Sequence, residues 1–322
     1  MGLSPWLPVG RSEPLAFYKA VVDVVWASRL ALFLSAFFLA GGALLAAVGQ
    51  VAWHMSLMVS GLLAFYFAVM YIQLPGFINA APARWATWLL TALFILGTAA
   101  SQLYGYAAYA PFSAVYIALY AKGLGKKPTF YPNLITIPGL ALLPLSPTPL
   151  MAALSFPLAS VYTLLYRVDV SRAKARFRLK AAATLALLYA LAWAASLWGH
   201  LWSFIFPSIA LTLTAPPKPR DAYGVGSLFF RVAIALAPLG HHFAYMAFAV
   251  IMSTLCVPYF LPSILYREAP SYKYELLAAS LAAYALRNVG LTAPAAVLVV
   301  GIAGYAALRS AKSKPVPLNP PQ

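Results

Sequence analysis

Two runs of the chain limit what it can fold into: residues 51–75 (VAWHMSLMVSGLLAFYFAVMYIQLP) and 241–262 (HHFAYMAFAVIMSTLCVPYFLP). Neither contains Lys, Arg, Asp or Glu. A helix rising about 1.5 Å per residue crosses a hydrocarbon layer of roughly 30 Å in about twenty residues, so each run is long enough to span a bilayer. Each carries histidine only in its first turn, and each ends at a Leu-Pro.

Ten further apolar segments surround these two. All twelve lie near residues 26–49, 51–74, 84–103, 105–121, 131–148, 150–167, 179–198, 199–215, 225–239, 241–266, 275–289 and 291–309. The stretch LPLSPTPL at 143–150 reads either as a tight turn or as a break within one longer segment. The distribution of charge tests the count. With the N-terminus inside, 21 of the 22 basic residues fall on the inner side and only Arg287 is left outside. A wrong number of crossings would scramble that bias. The outer links are as short as GQ, GYG, WG, LG and NVG, so the helices pair as tight hairpins. The expected fold is an all-α polytopic membrane protein with twelve transmembrane helices and both termini cytoplasmic. Residues 1–25 form a cytoplasmic N-terminal segment, 26–309 the transmembrane domain and 310–322 a cytoplasmic tail.

Composition agrees. The chain is 63% hydrophobic and 9% charged, a balance outside the range of soluble domains. Its net charge of +16 is explained by the inward basic bias, so nucleic acid is not an expected partner. Cys256 is the single cysteine, and CxxC and CxxCH are absent, which excludes zinc ribbons, disulfide frameworks and covalent c-type haem. Asn and Gln are scarce and Pro is abundant, a composition that points to a thermophile. The N-terminus lacks the pattern of a cleaved signal peptide and reads as mature. No Walker loop, HExxH, GxSxG or Asp-rich prenyltransferase motif occurs. No acid is expected in mid-membrane, which argues against a carboxylate-driven ion pump. Asp23 and Arg231 are expected to snorkel from inner helix ends. The run RVDVSRAKARFRLK at 167–180 is expected to be a solvated inner loop drawn to anionic lipid.

The four histidines carry the functional argument. His54, His200 and the pair His241–His242 open the second, eighth and tenth segments, all at the outer face. Ionisable groups at membrane depth mark function. Neutral imidazoles are good ligands for haem iron, and two from facing helices make a six-coordinate site. His54 with His241 or His242 is the expected pair. Adjacent helical residues point about 100° apart, so His241 and His242 cannot both face one iron. His200 is a further candidate metal ligand. Arg287, in the turn LRNVG, is placed to pair with a haem propionate. Interfacial histidines bonded to water or loop carbonyls, and an ordinary helix-end arginine, are the plain alternatives.

This layout resembles the haem-copper oxidase subunit I fold, whose low-spin haem is held by histidines of helices 2 and 10 and whose propionates meet arginine between helices 11 and 12. The stretch AWHMSLMVSGLLAFYFAVMYIQLPGF at 52–77 is also similar to the second helix of the NnrS family, haem- and copper-containing membrane proteins linked to nitric oxide stress. The resemblance implies haem b, axial ligation by His54 and one of His241 or His242, and Arg287 on a propionate. The second histidine and the glutamate of that family's HxHE-type start are missing, and Met55 and Ser56 follow His54 instead. Four histidines are too few for a complete haem and copper ligand set, so copper is doubtful and a full oxidase is not expected. The resulting reading is a multi-pass plasma-membrane haem protein in respiratory electron transfer or nitric oxide handling. Its partners would be the lipid bilayer, respiratory-complex subunits or an extracytoplasmic electron carrier. A small-molecule permease and a cofactor-free membrane subunit are the alternatives.

Overall fold

A buried backbone amide or carbonyl without a partner is costly in hydrocarbon, and the helix satisfies both locally. The computed structural model describes residues 14–73, 83–121, 133–255, 261–262, 265–268, 270 and 274–315. Among the described residues a helix lies at every one of the twelve apolar segments: α1 Pro14–Ala47, α2 Val51–Tyr71, α3 Arg84–Tyr104, α4 Tyr106–Tyr109 continuing as Ala110–Tyr120, α5 Asn133–Leu142, α6 Pro149–Arg172, α7 Leu179–Ser196, α8 Leu201–Thr214, α9 Ala222–Ala235, α10 His241–Leu255, α11 Glu275–Asn288 and α12 Thr292–Lys312. Six of them, α1, α2, α3, α6, α7 and α12, are long and apolar enough to cross a membrane. Exposed apolar side chains such as Phe33, Phe37, Val297 and Val300 line α1 and α12. Water would not tolerate such faces, and lipid does. The expected segment at 26–49 is part of a longer helix, since α1 begins at Pro14. The 143–148 stretch is a turn separating α5 from α6. Cys256, Pro75, Lys122, Lys126, Lys127, Lys273 and Arg11 lie outside the described residues.

Three hairpin turns share one geometry. Gly49, Gly199 and Gly290 have φ of 79°, 84° and 89°. The next residues, Gln50, His200 and Leu291, have φ of −83°, −83° and −79° and ψ of 67°, 59° and 71°. In each turn the residue after glycine donates its amide five residues back, to Leu45, Ala195 and Leu286. That is a Schellman closure of the first helix. The glycine carbonyl then accepts from Val51, Leu201 or Thr292, closing an inverse γ-turn that starts the second helix. Two residues thus reverse the chain with few orphaned carbonyls.

The chain divides into two compact units. The first is built mainly on α1–α5 and the start of α6, and the second on the end of α6 and α7–α12. In the first unit, α1 and α2 touch at glycines. A Cβ on Gly61 would lie 2.7 Å from the Leu39 side chain, and one on Gly42 3.0 Å from Met58. Ser35 donates to the Gly61 carbonyl at 2.7 Å. Below this contact α2 passes into a π-helical stretch, Phe67–Tyr71, that is wholly buried. Phe67 stacks on Phe94 with centroids 4.1 Å apart, and Tyr71 stacks on Phe156 at 3.9 Å. Phe112 meets both Phe67 and Phe94 edge-on. The α-helical donor to the Tyr71 carbonyl would be residue 75, a proline without an amide hydrogen. Tyr116 fills that role, its hydroxyl donating at 2.6 Å. α5 packs on α6 through Gly139, where a Cβ would fall 2.3 Å from that of Ala159, and through a 2.8 Å Thr136–Thr163 hydroxyl bond.

In the second unit the same devices recur. Ser203 ties α8 to the Ala192 carbonyl of α7 at 3.0 Å. Gly226 of α9 lets Leu255 of α10 and Leu277 of α11 approach. α10 also contains a π-helical stretch, Ala247–Met252, all but one of its residues buried. Two of the three histidine-bearing helices, α2 and α10, are therefore the two with π-turns among the described residues, an irregularity often found near functional sites.

Gly290→Ala should cost about 1–2 kcal/mol, since an L-residue must adopt φ near 89° there, while Gly301→Ala, on an open helical face, should stabilise by about 1 kcal/mol. Thermal unfolding in detergent distinguishes the pair, and shifts of the same sign would contradict the turn geometry. Tyr116→Phe should cost about 1–3 kcal/mol by orphaning the Tyr71 carbonyl; an unchanged midpoint would mean that carbonyl is satisfied elsewhere.

Candidate functional site

His54 is the fourth residue of α2 and is half-buried. Because Gly42 has no side chain, α2 comes close enough for the His54 Nδ1 to reach the Gly42 carbonyl at 2.9 Å. A carbonyl only accepts, so Nδ1 carries the hydrogen. In the neutral ring Nε2 is then left as a bare lone pair. This is the orientation and tautomer that a metal-bound histidine takes when its second nitrogen is anchored to a backbone carbonyl. Ser56, half a turn on, donates to Gln102 at 2.8 Å, and Gln102 in turn donates to Ser60 at 3.0 Å. These bonds tie this part of α2 to α3.

In the second unit the structure brings together two residues singled out from sequence. The Arg287 guanidinium contacts the His242 Nε2. Arginine only donates, so that nitrogen accepts. Phe243 and Tyr284 meet edge-on at 5.9 Å and hold the start of α10 against α11 beside this pair. His241 is exposed at the first position of α10. His200 is exposed within its γ-turn, its carbonyl accepting from the Ser203 hydroxyl at 2.6 Å. A haem ligand set fits His54 directly. At His242 the Nε2 is engaged by Arg287 and would have to give it up. Among the described residues no three His, Cys, Asp or Glu side chains gather as a metal site.

Three charged residues behave differently from expectation. Arg231 does not snorkel; it is 3% exposed and donates to Asp169 Oδ2 and to the Ala215 carbonyl, both at 2.8 Å. Asp169 is not in a solvated loop, because α6 runs on to Arg172 and buries it completely. Ser227 gives Oδ2 a second donor at 2.8 Å. An acid is thus buried inside an apolar helix, contrary to the expectation drawn from the sequence. Asp23 is likewise buried rather than snorkelling, accepting from Arg84 and, at 3.2 Å, from Trp88 Nε1. The sequence signal for the pair lay at Arg231, with apolar residues on both sides in LFFRVAIA, whereas Asp169 stands between Arg167 and Arg172.

Just beyond this pair, Arg172 grips both oxygens of Asp221 at 2.8 Å and lies 5.1 Å from the Tyr223 ring centre. Asp221 also caps α9, accepting from the Gly224 amide at 2.9 Å. Gly224 is required there, since a Cβ would fall 1.8 Å from the Lys218 carbonyl. Partial burial raises the Asp221 pKa. The Gly224 amide and Arg172 together outweigh it and set the group below the usual Asp value.

No protein-family model, no curated protein and no solved structure matches the chain.

Asp221→Asn should cost about 0.5–1 kcal/mol through the lost ion pair with Arg172, since Asn caps a helix about as well as Asp. A depressed folded-state pKa gives stability that is complete above the unfolded value near 3.9 and lost as pH falls through the folded value. The gap between wild type and Asp221→Asn, followed by unfolding between pH 7 and pH 2, should therefore be constant at neutral pH and narrow below about pH 4. A gap that widens on acidification would contradict this assignment.

Proposed function

We propose that this chain is a multi-pass protein of the plasma membrane, crossing twelve times with both termini on the basic, cytoplasmic side. We propose further that it binds haem b near the outer face and serves electron transfer in a respiratory complex or nitric oxide-related chemistry. The observation that carries the reading is the His54 Nδ1 anchored on the Gly42 carbonyl, which presents Nε2 for ligation. The resemblance to the NnrS family and to haem-copper oxidase subunit I adds His241 or His242 as second ligand and Arg287 as propionate partner. When bound, the haem supplies a one-electron couple whose potential follows its axial nitrogens and its burial. The protein's part is to fix the imidazole, to exclude water with apolar helices, and to offer a guanidinium to carboxylates.

A second reading, a small-molecule permease, is favoured by the buried Asp169–Arg231 pair. Breaking such a pair is strongly destabilising, and keeping one inside apolar helices points to a role in moving charge or solute.

An absorption spectrum of protein purified from haem-replete cells decides between them. A Soret band with a b-type pyridine haemochrome, lost in His54→Ala, is the expected result. A colourless preparation, or a band untouched by His54→Ala, overturns the haem reading. Solute uptake into liposomes that is abolished by Asp169→Asn would then support the permease.

A further inference from the structure

We propose that the groove between α1 and α3 binds one anionic phospholipid of the basic-side leaflet, with its phosphate at Arg29. The inference rests on the membrane part of the reading above and is independent of the haem.

Helix lengths set the depth. α1 has 34 residues and runs about 51 Å, well beyond a hydrocarbon layer of roughly 30 Å. Counted from its glycine-turn end at Ala47, about twenty residues fill that layer, so the opposite boundary falls near Ala27. Trp26 and Arg29 flank this level. α3 has 21 residues, one bilayer thickness, so its first turns with Arg84, Trp85 and Trp88 reach the same level.

There the two helices leave a groove of about 570 Å³ lined by Trp26, Arg29, Leu30 and Trp88. Its walls are held in place. The Arg29 guanidinium lies 4.9 Å from the Trp26 ring centre. Buried Asp23 fixes the Trp88 indole through Nε1 at 3.2 Å and also engages Arg84. The acid beside the groove therefore already has two donors.

Polarity runs in the order a phospholipid needs. Arg29 and Arg84 against the single carboxylate of Asp23 leave one end net cationic. From Trp26 the exposed residues Leu30, Phe33 and Phe37 follow at i+4, i+7 and i+11, one apolar stripe facing lipid. An acyl chain would lie along this stripe with its phosphate beside the guanidinium, which matches phosphate by its fork of donors. A choline or ethanolamine head would bring a further cation to a cationic end, whereas a glycerol head would not. The groove therefore selects anionic over zwitterionic lipid.

The test is native mass spectrometry of the full-length protein in mild detergent with equimolar phosphatidylglycerol and phosphatidylcholine of identical chains. One retained phosphatidylglycerol is expected. Its preference should fall about fivefold in Arg29→Gln, the loss of one basic contact. It should persist in Arg29→Lys and in Arg309→Gln on α12. Equal retention of the two lipids by the wild type, or a preference that survives Arg29→Gln, overturns the site. Loss in Arg29→Lys equal to that in Arg29→Gln overturns the role of charge. The wild-type headgroup preference needs no variant, so poor folding of Arg29→Gln leaves a decisive measurement. Absence of any bound phospholipid, with failure to enter liposomes, would sink the membrane reading itself.

Discussion

Hydrocarbon offers no hydrogen bonds, and that constraint accounts for most of what this chain does. It explains why the apolar segments become helices, and why the turns between them are so spare. At Gly49, Gly199 and Gly290 a Schellman closure and an inverse γ-turn use nearly every backbone group in two residues. Where the ladder must break, a side chain steps in. The Tyr116 hydroxyl takes the carbonyl that Pro75 cannot serve, and His54 takes a second bond to the Gly42 carbonyl at the top of α1. Serine and threonine repeat the habit inside helices, as with Thr91 on the Thr87 carbonyl and Thr98 on that of Phe94.

Acids are scarce, six against 22 bases, and the three aspartates are placed where they join elements. Asp23 links α1 to α3 through Arg84 and Trp88. Asp169 links α6 to α9 through Arg231 and Ser227. Asp221 joins the cap of α9 to the end of α6 through Arg172. All three lie toward the basic ends of their helices. With so few carboxylates, each aspartate decides which basic residues are neutralised within the protein.

The helices were legible in the sequence because length and hydropathy alone define them. The glycine turns were legible as short links, although their shared geometry was not, since Gln50, His200 and Leu291 have nothing chemical in common. The pairing of His242 with Arg287 follows from adjacent turns and was within reach of sequence reasoning. The anchor of His54 was not, because a backbone carbonyl leaves no mark in the sequence. Asp169 was misplaced for a different reason. Its neighbours Arg167, Arg172 and Lys174 give the look of a solvated loop, while the helix continues through Asp169 on a buried face. The π-turns in α2 and α10 were invisible, as they depend on the packing of Phe67, Tyr71 and their counterparts rather than on local propensity.

The central claim is that short glycine turns lie on one side of a membrane and basic links on the other. Single-cysteine variants in a Cys256→Ser background, treated with a membrane-impermeant thiol reagent, test it most directly. Gln50→Cys and Val289→Cys should react in intact cells, while Lys174→Cys and Arg220→Cys should react only after permeabilisation. Labelling of Lys174→Cys in intact cells, or opposite behaviour of Gln50→Cys and Val289→Cys, would contradict the account.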